Sequence, residues 1–181
     1  QELVTQLLNS LSLNHVAENR IGDSRRRGIS GGERRRLSLA RELLGDLKML
    51  IADEPTSGLD TFQAEHVVRI LGRLARTKQI VVALTLHQPR SSVWTMLDDI
   101  LLLTPNGKVA YHGSRDEVLT YFKRLGYRCP VLMNPSEYLL DLVSINPDDV
   151  SRSCEDIKRI VKLESCFEQR LCAQRNSMIS S

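Results

Sequence analysis

The sequence predicts an α/β protein built on a mainly parallel sheet flanked by helices. Two short apolar runs without alternation, residues 48–52 and 80–86, indicate strands that are buried on both faces. Between them, residues 61–76 carry apolar side chains at helical spacing, which gives the order strand, helix, strand. That order is typical of parallel sheets covered by helices.

Two helices are predicted before this unit. Leucines at helical spacing make the first dozen residues an amphipathic helix. Ser30 and Glu33 stand three positions apart, the spacing of a capping box, and the apolar pattern that follows predicts a helix ending at Gly45.

The chain after the second strand predicts two more strands and three helices. A helix over 92–98 precedes strands over 100–104 and 108–112, which a Pro-Asn-Gly turn connects, and we expect these strands to complete the sheet. Ser114 and Glu117 repeat the capping-box spacing before a helix that runs to Leu125. A short helix around 136–143 and a charged helical tail from Ser151 follow.

Composition limits the possible functions. With 41% hydrophobic residues among 181, the chain has enough apolar material for a packed core. The excess of 25 Lys and Arg over 22 Asp and Glu is only +3, which is too small to indicate nucleic acid or an anionic membrane as a partner. The apolar runs are all shorter than the roughly 18 to 20 residues that a spanning helix needs.

Acidic and basic side chains follow the two central strands. Asp53 and Glu54 come directly after the first, and two adjacent carboxylates at a strand end are costly unless a positive charge compensates them. A divalent ion could do so, with the neighbouring carboxylate acting on an attacking water, although such a pair could also cap the next helix. His87 follows the second strand, and ligands of parallel sheets bind at this edge.

A small-residue segment precedes the predicted second helix. Ser30, Gly31, Gly32 and Glu33 place free backbone N–H groups at a helix N-terminus, where no bulky side chain blocks an anion. By itself this pattern also fits an ordinary capped helix. Four signals in a fixed order make the pattern specific: Ile29–Glu33, Lys48–Pro55, Thr56–Asp60 and His87–Arg90.

In these four segments the sequence resembles the nucleotide-binding domain of ATP-binding-cassette (ABC) transporters, a P-loop NTPase-type fold. Ile29–Glu33 is similar to the family's signature loop, Leu50–Glu54 to Walker B, Ser57–Asp60 to the D-loop and His87 to the switch histidine. The run Ile-Ser-Gly-Gly-Glu-Arg-Arg-Arg, the run His-Gln-Pro-Arg and Asn134-Pro135 resemble the G subfamily, the white-brown-complex half-transporters.

The resemblance implies ATP and Mg²⁺ as cofactors and a role for each motif residue. It implies that Asp53 holds Mg²⁺ through water, and that Glu54 and His87 are catalytic, acting on the hydrolytic water and on the γ-phosphate. It implies that Ser30, Gly31, Gly32 and Glu33 bind ATP held mainly by a partner chain. Asp60 would couple the two ATP sites across that dimer.

The resemblance covers only the C-terminal part of such a domain. The 181 residues contain no G-x-x-x-x-G-K-[ST] phosphate loop, and the N-terminal strands of the sheet are absent with it. We expect a helical subdomain with the signature helix at 1–45, the sheet from Walker B to the last strand at 46–113 and C-terminal helices at 114–145. Residues 146–181 would be a charged linker towards a membrane domain.

For the whole protein, the resemblance implies an ATP hydrolase that couples hydrolysis to the export of a hydrophobic substrate. Its partners would be a second half-transporter, identical or different, and its own membrane domain, but no nucleic acid. The nucleotide domain would lie on the cytoplasmic face of a membrane. The isolated chain is expected to be inactive.

Two other functions remain open. A degenerate module that only lends its signature loop to a partner would also contain no phosphate loop. A DNA-maintenance ABC ATPase would carry a similar signature, but it would have long heptad repeats before the signature, and residues 1–29 have none. Two arginine triplets, at 25–27 and 34–36, could form ion pairs, line the ATP interface or bind nucleic acid.

Overall fold

The structure is a computed structural model, and it describes residues 2–23, 26–45, 47–146 and 150–179. It divides into two compact units, Gln1–His87 and Gln88–Ser181. The division falls inside the predicted segment 46–113. The domain boundaries proposed from the sequence stay predictions.

The first unit contains the predicted strand–helix–strand order. Its elements are α1 (Glu2–Ser10), a 3-10 helix (Asn14–Val16), α2 (Gly31–Glu42), β1 (Met49–Ala52), α3 (Thr61–Lys78) and β2 (Val81–Leu84). The two strands pair in parallel, in a register that places Met49 opposite Val81 and Ala52 opposite Leu84. The predicted parallel pairing is therefore confirmed.

One face of this two-stranded sheet is covered and the other is open. Leu50 is buried and packs with apolar residues of α1, α2 and α3, among them Leu39 of α2 and Leu71 of α3. On the opposite face Ile51 and Val81 are 74% and 62% exposed. The prediction of strands buried on both faces is wrong for this structure, because only one layer of helices is present among the described residues.

The second unit is an antiparallel hairpin surrounded by helices. Its elements are α4 (Ser91–Trp94), β3 (Asp99–Leu103), β4 (Val109–Ser114), α5 (Arg115–Arg124), α6 (Pro135–Val143) and α7 (Val150–Ile179). The strands β3 and β4 form a sheet of their own. The expectation that they complete the parallel sheet is wrong: β3 pairs with β4 and not with β1 or β2, and the tight turn, with Gly107 at φ +74°, makes that pairing antiparallel.

Some helix boundaries also differ from those predicted. The helix expected over 92–98 is a single turn, α4, which stops at Trp94. Ser114 caps α5 as predicted, but its side chain accepts from the amide of Asp116, and Glu117 does not complete a capping box. The charged tail is helical over Val150–Ile179, as expected.

The helix α7 is an integral part of the second unit. Leu163 of α7 is fully buried in the core with Trp94, Tyr111 and Phe122. Arg159 donates to the carbonyl oxygens of Leu142 and Ser144, at 2.9 Å each, and so pairs the C-terminal end of α6 with α7. These contacts place the tail on the hairpin.

A buried carboxylate also joins α7 to the hairpin. Glu164 is 4% exposed, and its Oε1 accepts a hydrogen bond of 2.7 Å from the Thr104 hydroxyl. Its Oε2 lies 3.5 Å from the Lys108 ammonium. Thr104 and Lys108 stand on either side of the hairpin turn, so Glu164 holds the base of that turn.

We expect Thr104→Val to lower the free energy of unfolding by about 1–3 kcal/mol, because it leaves one oxygen of a buried carboxylate without its donor. The fluorescence of Trp94, the chain's single tryptophan, reports on this unit during urea denaturation. Thr104→Ser, which keeps the hydroxyl, is the control. A Thr104→Val variant as stable as the wild type would show that the hydrogen bond to Glu164 does not contribute to the free energy of unfolding.

Candidate functional site

The carboxyl ends of β1 and β2 bring three polar side chains together. The Thr85 hydroxyl accepts a hydrogen bond of 2.7 Å from the Glu54 amide and donates one of 2.5 Å to Asp53 Oδ1. The Thr85 amide in turn donates to the carbonyl of Ala52 at 3.1 Å, which extends the strand pairing by one residue. Asp53 and Glu54 are therefore held by the neighbouring strand.

Glu54 has an unusual backbone conformation. Its φ is +41°, in the left-handed region that residues other than glycine rarely adopt. Such a conformation costs of the order of 1–3 kcal/mol and persists only where the surroundings impose it. The chain reverses direction here, and the Ser57 amide donates to the Glu54 carbonyl at 3.0 Å.

Glu54 and His87 line the same polar concavity. It has a volume of about 350 Å³, and Thr56 and Ser57 complete its wall. His87 lies three residues beyond the end of β2, which stops at Leu84 rather than at Leu86 as predicted. The structure thus brings together the two residues predicted to be catalytic, with Asp53 next to Glu54 in the chain.

The predicted capping box at the start of α2 is confirmed. Ser30 donates its amide to Glu33 Oε2 at 2.7 Å, and its hydroxyl oxygen accepts from the Glu33 amide at 3.2 Å. The side chain and backbone of Ser30 hold the pKa of Glu33 below its ordinary value, with a smaller contribution from His15, whose ring lies 2.9 Å from Glu33 Oε1. Ser30 and Glu33 are therefore engaged with each other.

The two glycines of this segment have different surroundings. Gly31 and Gly32 occupy the first helical positions, where amides have no acceptor within the helix. A Cβ atom at Gly31 would meet nothing within 4 Å. A Cβ at Gly32 would lie 2.4 Å from Gln63 Oε1 and 3.0 Å from Leu59 Cδ2. Gly31 is thus open to approach, whereas Gly32 allows α2 to pack closely on the start of α3.

The segment 57–60 is tied to both helices. Arg35 of α2 donates to the Ser57 carbonyl at 2.5 Å. Asp60 caps α3 by accepting from the Gln63 amide at 2.9 Å, so the carboxylate that caps this helix is Asp60 and not the Asp53–Glu54 pair. The role of Asp60 across a dimer stays a prediction.

The arginine triplets are only partly described, because Arg25 lies outside the described residues. In the second triplet, Arg34 donates to the Ile21 carbonyl at 3.2 Å and Arg35 to that of Ser57. Arg36 is buried, at 7% exposure. These contacts are structural ones within the first unit.

Thr85 is the site residue that sequence analysis missed. It stands immediately after the apolar strand β2, where a hydroxyl residue is an ordinary way for a strand to end. The only signal in the sequence is its position opposite Asp53 when the two strands are aligned in parallel.

Two family models match separate parts of the chain. A family model described as ABC transporter matches residues 1–57, and one described as ABC-2 type transporter matches residues 87–160. Among the described residues, no helix combines the length and the apolar character needed to cross a membrane.

Curated relatives match nearly the whole chain. ATP-binding cassette sub-family G member 5 of Rattus norvegicus is 44% identical over 166 residues, 92% of this chain and 25% of the relative. ABC transporter G family member 7 of Arabidopsis thaliana is 45% identical over 170 residues, 93% of this chain and 23% of the relative. The chain thus spans about a quarter of the length of these relatives.

Solved structures support the same fold. A metal-chelate type ABC transporter in an inward-facing conformation is 30% identical, with a TM-score of 0.52 over 65% of this chain and 44% of that one. An ATP-binding cassette in its ADP conformation matches 69% of this chain and 48% of its own, at 23% identity and a TM-score of 0.52, which shows the fold alone. The chain therefore belongs to the ABC transporter family, as part of a nucleotide-binding domain of the G subfamily.

Proposed function

We propose that the chain is the ATP-hydrolysing segment of a transporter that exports a hydrophobic substrate across a membrane. The observation that carries the proposal is that Glu54 and His87 line one polar concavity at the carboxyl ends of two parallel strands, while Thr85 holds Asp53 next to Glu54. Ligands of parallel α/β sheets bind at this edge. Family membership supports ATP as the ligand.

The residues at β1 fit a magnesium–phosphate complex. Mg²⁺ is usually held by one or two carboxylates together with waters and substrate phosphates. The Thr85 hydroxyl donates a hydrogen bond to Asp53 Oδ1, and among the described residues no donor bonds Asp53 Oδ2. That oxygen would hold the water shell of Mg²⁺, which neutralises charge on the β- and γ-phosphates.

Glu54 would act as general base. Its carboxylate would take a proton from a water as the water oxygen attacks the γ-phosphorus, while the bond to the leaving oxygen of ADP breaks. His87, which lines the same concavity, would contact the γ-phosphate and respond to its release.

The glycine segment would serve a second nucleotide. The amides of Gly31 and Gly32, which have no acceptor within the helix, and the open space around Gly31 suit a phosphate brought by a partner chain. Ser30 and Glu33 would support that contact by fixing the helix start. Asp60 lies on the segment 57–60, which Arg35 bonds to α2. It would couple closure of the dimer at one ATP site to the other ATP site.

The partner would be a second half-transporter, identical or different. The chain's own membrane domain would follow α7, and the nucleotide domain would lie on the cytoplasmic face. The match to family models described as transporters supports this membrane setting.

A degenerate module is the second candidate. The observation that favours it is the open start of α2, where a Cβ at Gly31 would meet nothing within 4 Å and a partner's phosphate could approach. In that case the signature helix would complete a partner's site, and the concavity beside Glu54 would hold no hydrolysed nucleotide.

The test is phosphate release by the intact protein, purified with its endogenous partner, in the presence of ATP and Mg²⁺. We expect turnover by the intact protein, but neither turnover nor low-micromolar ATP binding by the 181-residue chain alone. An intact protein that binds ATP without hydrolysing it would support the degenerate module. Turnover by the chain alone would contradict the need for a separate phosphate loop.

A further inference from the structure

The hydroxyl of Thr85 has a defined orientation. A threonine hydroxyl has one proton to donate and can accept through its oxygen. The Glu54 amide can only donate, so in the 2.7 Å contact the Thr85 oxygen is the acceptor. The hydroxyl proton is then directed to Asp53 Oδ1, 2.5 Å away. One side chain therefore contacts both residues of the acidic pair at once.

The bond to Asp53 selects one oxygen of that carboxylate. A hydrogen bond donated to an ionised carboxylate is shorter and stronger than one between neutral groups. With Oδ1 engaged by Thr85, rotation of the carboxylate about its Cβ–Cγ bond is restrained. The same oxygen, Oδ2, is then always the one presented to a cation.

The bond to Glu54 acts on the backbone. Glu54 has a left-handed φ of +41°, a conformation that needs support from its surroundings. The Thr85 hydroxyl bonds the amide of that residue, and the Thr85 amide is paired to Ala52 at 3.1 Å. The direction in which the Glu54 side chain enters the concavity is thus set by β2.

We propose that Thr85 is a positioning residue of the hydrolytic site, whose hydroxyl fixes both the metal-facing oxygen of Asp53 and the backbone of Glu54. The inference rests on the proposed function. It adds a residue outside the four motifs. In this role Thr85, directly after β2, holds the carboxylates of Asp53 and Glu54 in place relative to His87.

The test uses three variants of the intact protein. Thr85→Val keeps the shape of the side chain and removes the hydroxyl, and Thr85→Ser keeps the hydroxyl. Thr77→Val makes the same chemical change at an exposed position of α3 and is the matched control. Three quantities are measured: kcat, the Mg²⁺ concentration for half-maximal turnover, and hydrogen exchange at the Glu54 amide without nucleotide or metal.

For Thr85→Val we expect kcat to fall about 10- to 100-fold, as misplaced catalytic groups typically cause. The half-maximal Mg²⁺ concentration should rise, and the Glu54 amide should exchange faster. Thr85→Ser should restore all three quantities to near the wild-type values, and Thr77→Val should change none of them.

Two outcomes overturn the inference alone. One is an active wild-type protein whose Thr85→Val variant keeps kcat and Mg²⁺ dependence within twofold. The other is equal impairment by Thr85→Ser and Thr85→Val, which would show that a retained hydroxyl does not preserve the site. A wild-type protein that binds ATP and does not hydrolyse it overturns the proposed function instead, and with it any catalytic role for Thr85.

Discussion

Replacement of Glu54 by Gln is expected to slow ATP turnover of the intact protein by about 10²- to 10⁴-fold, the contribution typical of a general base. The variant keeps the size and polarity of the side chain and removes the carboxylate that takes the proton from water. ATP binding should survive, and the nucleotide-bound closed dimer should accumulate, because hydrolysis no longer opens it. Steady-state phosphate release and retention of labelled ATP measure the two effects.

Two further variants test whether Glu54 acts as a specific base or only contributes negative charge. Glu18→Gln removes an equal charge at an exposed position of the first unit and should leave turnover unchanged. Asp53→Asn should weaken nucleotide binding as well as turnover, because it acts on the Mg²⁺ site. Turnover of Glu54→Gln within about twofold of wild type would assign hydrolysis to another carboxylate and favour the degenerate module.

The parts of the fold that could be predicted are those with local signals. The capping box at Ser30 and Glu33 needs only a four-residue pattern, and it forms as predicted. The parallel pairing of β1 and β2 follows from two apolar runs separated by one helical pattern, which leaves few possible connections. The hairpin turn at 105–107 is likewise encoded by its own residues.

The parts that could not be predicted depend on distant neighbours. An apolar run such as 48–52 indicates a strand that can be buried on both faces, but it does not supply the second layer, and Ile51 remains 74% exposed. The strand patterns of β3 and β4 do not specify the sheet they join. The charged sequence of α7 likewise does not indicate that Glu164 is buried against Thr104.

The candidate site was predictable to the extent that motifs mark it. Asp53, Glu54 and His87 each follow an apolar run, and the structure places Glu54 and His87 on one concavity. Thr85 carries no such mark, because its role arises only when β2 lies beside β1 and its hydroxyl meets Asp53. Pairing across strands, rather than position along one strand, makes the site.

Replacement of Gly31 by Asp is expected to reduce turnover of the intact protein by at least about 10²-fold, the loss typical when one preorganised phosphate or oxyanion contact is removed. A Cβ at Gly31 would meet nothing within 4 Å, so the substitution causes no clash at the helix backbone. Its carboxylate would stand at the helix N-terminus where a phosphate should approach, and like charges repel. Binding of ATP at the chain's own site should be retained.

Gly72→Asp provides the matched control for this change. Gly72 lies within α3, and a Cβ there also meets nothing within 4 Å, so the same charge is added to the same unit without a clash at the Cβ. If the charge blocks closure of the dimer only when it stands at position 31, crosslinking of the nucleotide-bound dimer should fall for Gly31→Asp and persist for Gly72→Asp. Equal loss in both variants would indicate destabilised helices. Unchanged turnover in Gly31→Asp would show that no phosphate approaches α2, because a carboxylate placed on an open helix start cannot be neutral towards a neighbouring anion.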